Sequence, residues 1–526
     1  MNLTREEARH RSEIIKVERY HVRIDVRGAD ADGATHFTSN TRVRFSTTEP
    51  DTFLDLLDGE IESVIVNGEE VEPEYDGSRI QLHGLHTHRE NLVIVTAKLP
   101  YQHTGQGLHR FVDPVDGEVY LYSQFEVADT RRMFPVFEQP DLKSRFAFTV
   151  TAPAHWQVVS NQPTPGPVVE GDKGTWAFAP TPVLPPYITA LVAGPYEVVR
   201  DELTSSDGRT IPLGVFARKS LMDHVDAEEM FRITKQGFEF YEAQFDTPYP
   251  FEKYDQLYVP QFNAGAMENA GAVTFVESYV FRSKPTQARR DRRVITILHE
   301  LAHMWFGDLV TMRWWNDLWL NESFAEWACY WAEAEATEFT DAWTGFANAR
   351  KQTGYRADQL PSTHPVAGSP APDAKSALAN FDGISYAKGA SVLRQLIAHV
   401  GDEAFVAGVR AHLSRHAHGN ADLADFLAAL GSAASLIAHE VKNSLNGLKA
   451  AIGMLAPSEE QGFAVRTLRG QIDRLAHLAT SLLHFGKQPR VQRIPVDLPH
   501  LVREVLDGLR VLPEAEEVRV EAHLDG

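Results

Sequence analysis

The hydrophobic pattern of this chain changes period near Tyr196, and that change limits the folds open to it. From about residue 17 to 195, apolar and polar residues alternate in short β-branched runs, among them HVRIDV, TRVRFST, NLVIVTAKL, EVYLYSQF, RFAFTVTAP and WQVVSN. Gly, Pro, Asp and Asn separate the runs, so strands that bury one face fold back on one another, and residues 1–197 read as an antiparallel β domain. Past Tyr196 the pattern becomes helical in DHVDAEEMFRITKQGFEFYEAQF and ARRDRRVITILHELAHMWFGDLV, with strand-like pieces at YDQLYVP and GAVTFVES. A chain of 526 residues is too long for one ordinary core. The expected class is therefore α+β and multidomain, with a mixed, helix-rich domain over 198–431. Within it, LPSTHPVAGSPAPDAK reads as a surface loop, and YAKGASVLRQLIAHV and DLADFLAALG as further helices.

From about Ser432 the rhythm changes again. Val441, Leu445, Leu448, Ile452 and Leu455 step by four and three, and Val465, Leu468, Ile472 and Leu475 repeat the pattern after PSEEQG. That predicts an antiparallel helical hairpin over 432–490, whose apolar seam would make a homodimer by forming a four-helix bundle.

The charge balance, 51 basic against 72 acidic residues, repels a nucleic-acid backbone, so no nucleic-acid partner is expected. No run of about 18 apolar residues occurs and the first twenty residues mix acids with bases, so neither membrane insertion nor export is expected. The single cysteine, Cys329, suits a reducing compartment, and the cytoplasm is the expected location.

The strongest chemical signal is HELAH. His299 and His303 lie four apart, so on a helix both imidazoles leave one face and can grip a single cation. Catalytic zinc takes three protein ligands and keeps a position for water. Glu322, in NESFAEW, follows His303 after eighteen residues, enough to end one helix and return a carboxylate from another. His299, His303 and Glu322 would thus hold one zinc ion per chain. Glu326, one turn beyond Glu322, is placed to accept a histidine N–H. The helix around HELAH is apolar (Val294, Ile297, Leu298, Leu301, Trp305), and burying two histidines and an acid there is costly without a partner ion. Glu300 is not needed as a ligand and suits a general base toward water.

These motifs, together with GAMEN at Gly265, Ala266, Met267, Glu268 and Asn269, resemble the aminopeptidase N family of gluzincins over about residues 15–430. The resemblance implies a thermolysin-like catalytic domain and removal of single residues from the free amino end of peptides. It also implies that Glu268 binds the substrate's α-amino group and that the GAMEN backbone lies along the peptide. A loop resembling SQFEVADTRRMFPVFEQPDLKSRF would bring Gln124 and Glu126 to the first substrate residue. Tyr386, in ISYAKGASVL, would donate its phenol to the oxyanion. Two carboxylates facing an ammonium make physical sense, since a blocked peptide would leave them buried and unpaired.

The carboxy-terminal part has a different resemblance. SLIAHEVKNSLNGLKAAIGML is similar to the phosphoacceptor helix of sensor histidine kinases, which would make His439 the phosphoacceptor, Glu440 the acid beside it and Asn443 the position serving phosphatase activity. Ser444 stands where that family usually has proline. Residues 491–526 resemble a truncated start of a kinase ATP-binding domain. The implied alternative is a fusion whose hairpin dimerises and takes phosphate on His439, with little or no peptidase activity.

Overall fold

The computed structural model describes residues 2–436. The expected hairpin, His439, Glu440, Asn443 and the ATP-binding start lie outside them.

Each of the six alternating runs forms a strand. Ile15–Asp25, His36–Thr47, Asn91–Pro100 and Arg145–Pro153 belong to an eight-stranded sheet. Val119–Gln124 and Gln157–Ser160 belong to a four-stranded one, with Leu191–Gly194 and Gly107–Val112. The large sheet departs from the antiparallel expectation at one place, where Ile15–Asp25 runs parallel to Arg145–Pro153. Alternation reports which face is buried and is blind to direction, and the long connection between these strands leaves room for a parallel pairing.

A helix precedes the sheet. In α1 (Arg5–Ile14), Thr4 and Glu7 form a reciprocal capping box, and buried Arg11 reaches Asp55 at 2.8 Å.

From Glu197 to Val276 the strands belong to a separate five-stranded sheet, that of the second domain, ordered Glu197–Thr204, Thr210–Ala217, Tyr254–Val259, Ala272–Val276, Ala266–Met267. Three helices follow the expected segments: α2 (Ala227–Phe245), α3 (Gln287–His303) and α4 (Trp319–Ala336). Asp226 and Thr286 cap the first two through their side chains. Close packing of α2 on α3 requires Gly237, since a Cβ there would lie 2.6 Å from Leu298 Cδ2. Aromatic contacts among Tyr241, Phe245, Trp305, Phe306 and Phe324 join α2 to the residues after α3 and to α4. Along α4 most side chains are buried, Glu322, Glu326 and Glu333 among them, so these three carboxylates need partners.

A further helix opens at residue 423 and continues through 436, so the division expected between 431 and 432 falls inside it. No described helix is long and apolar enough to cross a membrane.

Candidate active site

His299 and His303 occupy the last turn and a half of α3, and Glu322 the first turn of α4. The two Nε2 atoms are 3.0 Å apart, and Glu322 Oε2 lies 3.3 Å from that of His299 and 3.5 Å from that of His303. Metal–ligand bonds of about 2.0–2.1 Å at tetrahedral angles separate the ligand atoms by about 3.3 Å. The three atoms therefore have the spacing of one face of a tetrahedral metal site. His303 Nδ1 donates to the Phe306 carbonyl at 2.9 Å, which leaves Nε2 with its lone pair outward. The chain reaches that geometry through Gly307, whose φ is +127° and where a Cβ would crowd Asn321 and His303.

Glu326 Oε2 lies 3.6 Å from His299 Nδ1, beyond a direct hydrogen bond but in the position expected of it. Arg350 holds the same carboxylate, through Nε at 2.5 Å and Nη2 at 3.2 Å. Burial pushes Glu326 up, but Arg350 outweighs it and keeps the carboxyl low. Arg350 was not anticipated from sequence: it belongs to no motif and reaches Glu326 only through the fold.

Around the triad the structure gathers carboxylates. Oxygens of Glu126, Glu268 and Glu322 all lie within 4.8 Å of one another, as do ligand atoms of Glu268, Glu300 and His303. Glu126 Oε1, Glu268 Oε1, Glu300 Oε2 and Glu322 Oε2 are buried without a hydrogen-bond partner among the described residues. Burial pushes Glu126, Glu268 and Glu300 above the usual carboxylate range. Burial alone would lower His303, yet Glu268, Glu322 and Glu300 together drive it well up. The cluster is short of positive charge, and the carboxylates around His303 favour a cation at this place.

Gln124 ends its strand beside Glu126 and donates through Nε2 to Met267 Sδ at 3.3 Å. Ala266–Met267 is the edge strand of the second domain's sheet, hydrogen-bonded to one neighbour only, and Gly265 O accepts from Val276 N at 3.0 Å. Asn269 turns away, its amide 3.3 Å from Thr274 Oγ1, so its side chain serves the loop. Asn161 of the β domain fixes this segment by donating to the Ala270 and Ile188 carbonyls, both at 2.9 Å.

Tyr386 sits on a short turn, Ile384–Lys388, with its ring 5.9 Å from that of His299. Asp382 Oδ1 caps the turn by accepting from Ile384 N at 2.8 Å, and Ser323 of α4 donates to Ser385 O at 2.5 Å. Gly389 permits that approach, because a Cβ there would fall 1.8 Å from Ser323 Oγ. Burial, reinforced by the surrounding carboxylates, raises the phenol and keeps it a proton donor. A cavity of about 420 Å³ opens beside the cluster, lined by Gly265, Ala266, His299, Glu300, Arg350 and Tyr386 among others.

Residues 229–446 match the peptidase family M1 domain and residues 35–188 the peptidase M1 N-terminal domain. The first match runs through His439, Glu440 and Asn443. Aminopeptidase N of Streptomyces lividans is 53% identical over 436 residues, 82% of this chain and 50% of that protein. Tricorn protease-interacting factor F2 of Thermoplasma acidophilum is 33% identical over 79% of this chain and 51% of its own length. Leucyl aminopeptidase of Saccharolobus solfataricus is 32% identical over 78% and 51%. The chain spans about half the length of these curated relatives. Through its β-rich amino-terminal domain and the helix-rich domain that carries the histidine and glutamate cluster, the chain belongs to the M1 peptidase family.

Proposed function

We propose that this chain is a zinc aminopeptidase that hydrolyses the first peptide bond of peptides with a free amino end. The observation that carries the reading is the conjunction of three ligand atoms at tetrahedral spacing with a buried carboxylate pair that has no counter-charge of its own. His299, His303 and Glu322 would hold the zinc. When bound, the ion supplies Lewis-acid polarisation of water and of the scissile carbonyl.

The remaining work falls to the chain itself. Glu300, raised by burial, accepts a proton from the attacking water and passes it to the leaving amine. Tyr386 donates its phenolic hydrogen to the carbonyl oxygen as negative charge develops there. Glu268 and Glu126 accept hydrogen bonds from the α-ammonium, and an internal or blocked peptide would leave both charges buried and unpaired. Gln124 and Met267 border the first side chain of the substrate. The open edge of Ala266–Met267 offers backbone hydrogen bonds to an extended peptide.

Release of a fluorophore from an aminoacyl amide tests the proposal. Turnover should vanish with a chelator, return with zinc, and be lost in Glu300→Gln; bound zinc without turnover on any free-amine substrate would leave a binding protein. A cytoplasmic location, proposed from the single cysteine, is checked by cell fractionation. Dimerisation through the carboxy-terminal hairpin and phosphate transfer to His439 rest on sequence rhythm and resemblance alone. Labelled ATP with a kinase ATP-binding domain should mark His439, and absence of label rejects that reading.

A further inference from the structure

The cavity beside the catalytic cluster is lined by α3, α4, the helical turns of residues 342–358, the Ala264–Ala266 segment and the turn that carries Tyr386. α3, α4 and residues 342–348 also line a second cavity of about 330 Å³, together with Glu338, Phe339, Thr340 and Asp341. Ile295 borders both. α3 gives Thr296 and His299 to the first cavity and Asp291 to the second, whereas α4 gives Glu326 to the first and Tyr330 and Glu333 to the second. The two cavities therefore adjoin at Ile295 between α3 and α4, the second lying further from the histidines.

In the second cavity Glu333 stands out. It is 1% exposed, and neither carboxylate oxygen has a hydrogen-bond partner among the described residues. Burial, with Asp291 adding to it, pushes the carboxyl up to about 8. Glu338, which also borders the cavity, is already held by Arg232 at 2.6 and 2.8 Å. No lysine, arginine or histidine among the described residues lines the space. Its walls include the apolar surfaces of Ile295, Tyr330 and Phe339. A bare metal ion would leave most of this volume empty. A long aliphatic stem ending in a planar guanidinium fits both the apolar walls and a carboxylate with two free oxygens.

We propose that the second cavity is a specificity pocket, in which Glu333 receives an arginine or lysine side chain from the leaving part of the peptide. The proposal rests on the aminopeptidase reading, under which the leaving part of the peptide would run from the catalytic cluster through the first cavity toward the second. Glu333 is a specificity residue here and takes no part in the bond cleavage.

The test uses peptides that share one amino-terminal residue and carry arginine or citrulline at position two, three, four or five. Citrulline keeps the shape and removes the charge. For at least one position the wild-type chain should show kcat/KM higher for arginine by about tenfold or more. In Glu333→Gln that ratio should fall to near one, with turnover of the aminoacyl amide reporting that the variant is folded. Equal rates for arginine and citrulline at every position, or a ratio that survives in Glu333→Gln, would overturn the assignment. The wild-type series decides by itself if the variant fails to fold. No turnover even of the aminoacyl amide by the wild-type chain would instead defeat the aminopeptidase reading.

Discussion

Two buried clusters of charge lie in the same chain and are organised in opposite ways. At the junction of the two domains, Arg218 reaches Glu277 through Nε at 2.5 Å and Nη2 at 2.8 Å and also donates to Asp113. Ser220 Oγ at 2.6 Å and Val115 N at 2.9 Å complete the bonding of Asp113. Every carboxylate oxygen in that network has a partner supplied by the chain. In the cluster around His299 and His303, acids outnumber bases and Glu126, Glu268, Glu300 and Glu322 each keep an unpartnered buried oxygen. The first arrangement is complete as folded and serves structure. The second is left incomplete by the described residues, and its shortage of partners marks it as a site that the proposed cation and substrate ammonium would complete.

The largest effect expected from breaking this contrast is on the proton carrier. Glu300→Gln should keep zinc and lower kcat by about 10³-fold, within the usual range for a general acid–base; a loss below tenfold in single-turnover kinetics would remove Glu300 from the proton path. Next is the self-satisfied network. Arg218→Met leaves buried Asp113 and partly buried Glu277 without their cation and should cost about 3 kcal/mol in urea unfolding. Its kcat per folded molecule should stay close to wild type, and a loss of kcat without a loss of stability would dissolve the distinction drawn above.

Glu268→Gln should lower kcat/KM for a free-amine substrate by about tenfold to a hundredfold. The same variant should be more stable than wild type when metal-free, because it removes one of several like charges. A metal-free variant that melts lower would show that Glu268 is structural.

The smallest effect is in pH. Glu300 and His303 have raised values in the metal-free fold, so what they contribute to stability is present at low pH. It is lost as pH rises from the unfolded carboxylate value of 4.5, and the unfolded imidazole value of 6.5, toward those raised values. Asp113 is lowered: burial opposes this, but Ser220, Val115 and Arg218 prevail, so its contribution is lost only as pH falls through and below 3.8. The melting temperatures of zinc-loaded and metal-free protein should therefore diverge by about 2–4 °C or more between pH 5 and 8. Parallel curves would mean that zinc does not relieve the charge cluster.

Much of this was legible in the sequence because the signals are local. Two histidines four apart must share a helix face, and alternating runs must become half-buried strands. Glu322 was within reach because eighteen residues are enough to leave one helix and enter another, and in the fold α3 ends at His303 and α4 begins at Trp319. What stayed hidden depends on pairings between distant segments. Arg350 meets Glu326 only after two helical segments pack, and Asn161 meets Ala270 only across the domain junction. The parallel pairing of Ile15–Asp25 with Arg145–Pro153 was invisible for the same reason. The helix Arg5–Ile14 was legible and unread: Thr4 and Glu7 spell its capping box. The boundary expected near Ser432 rests on an apolar rhythm that begins at Val441, outside the described residues, while the helix over residues 423–436 runs across the expected division.

The most direct test of the account is metal analysis of protein made in zinc-replete medium, beside the Glu322→Gln variant. The account predicts one zinc per wild-type chain and, in the variant, less than about a tenth of that after dialysis against a weak chelator. A wild-type chain without zinc, or a variant that holds it equally well, would contradict the assignment of His299, His303 and Glu322 and the hydrolytic reading built on it.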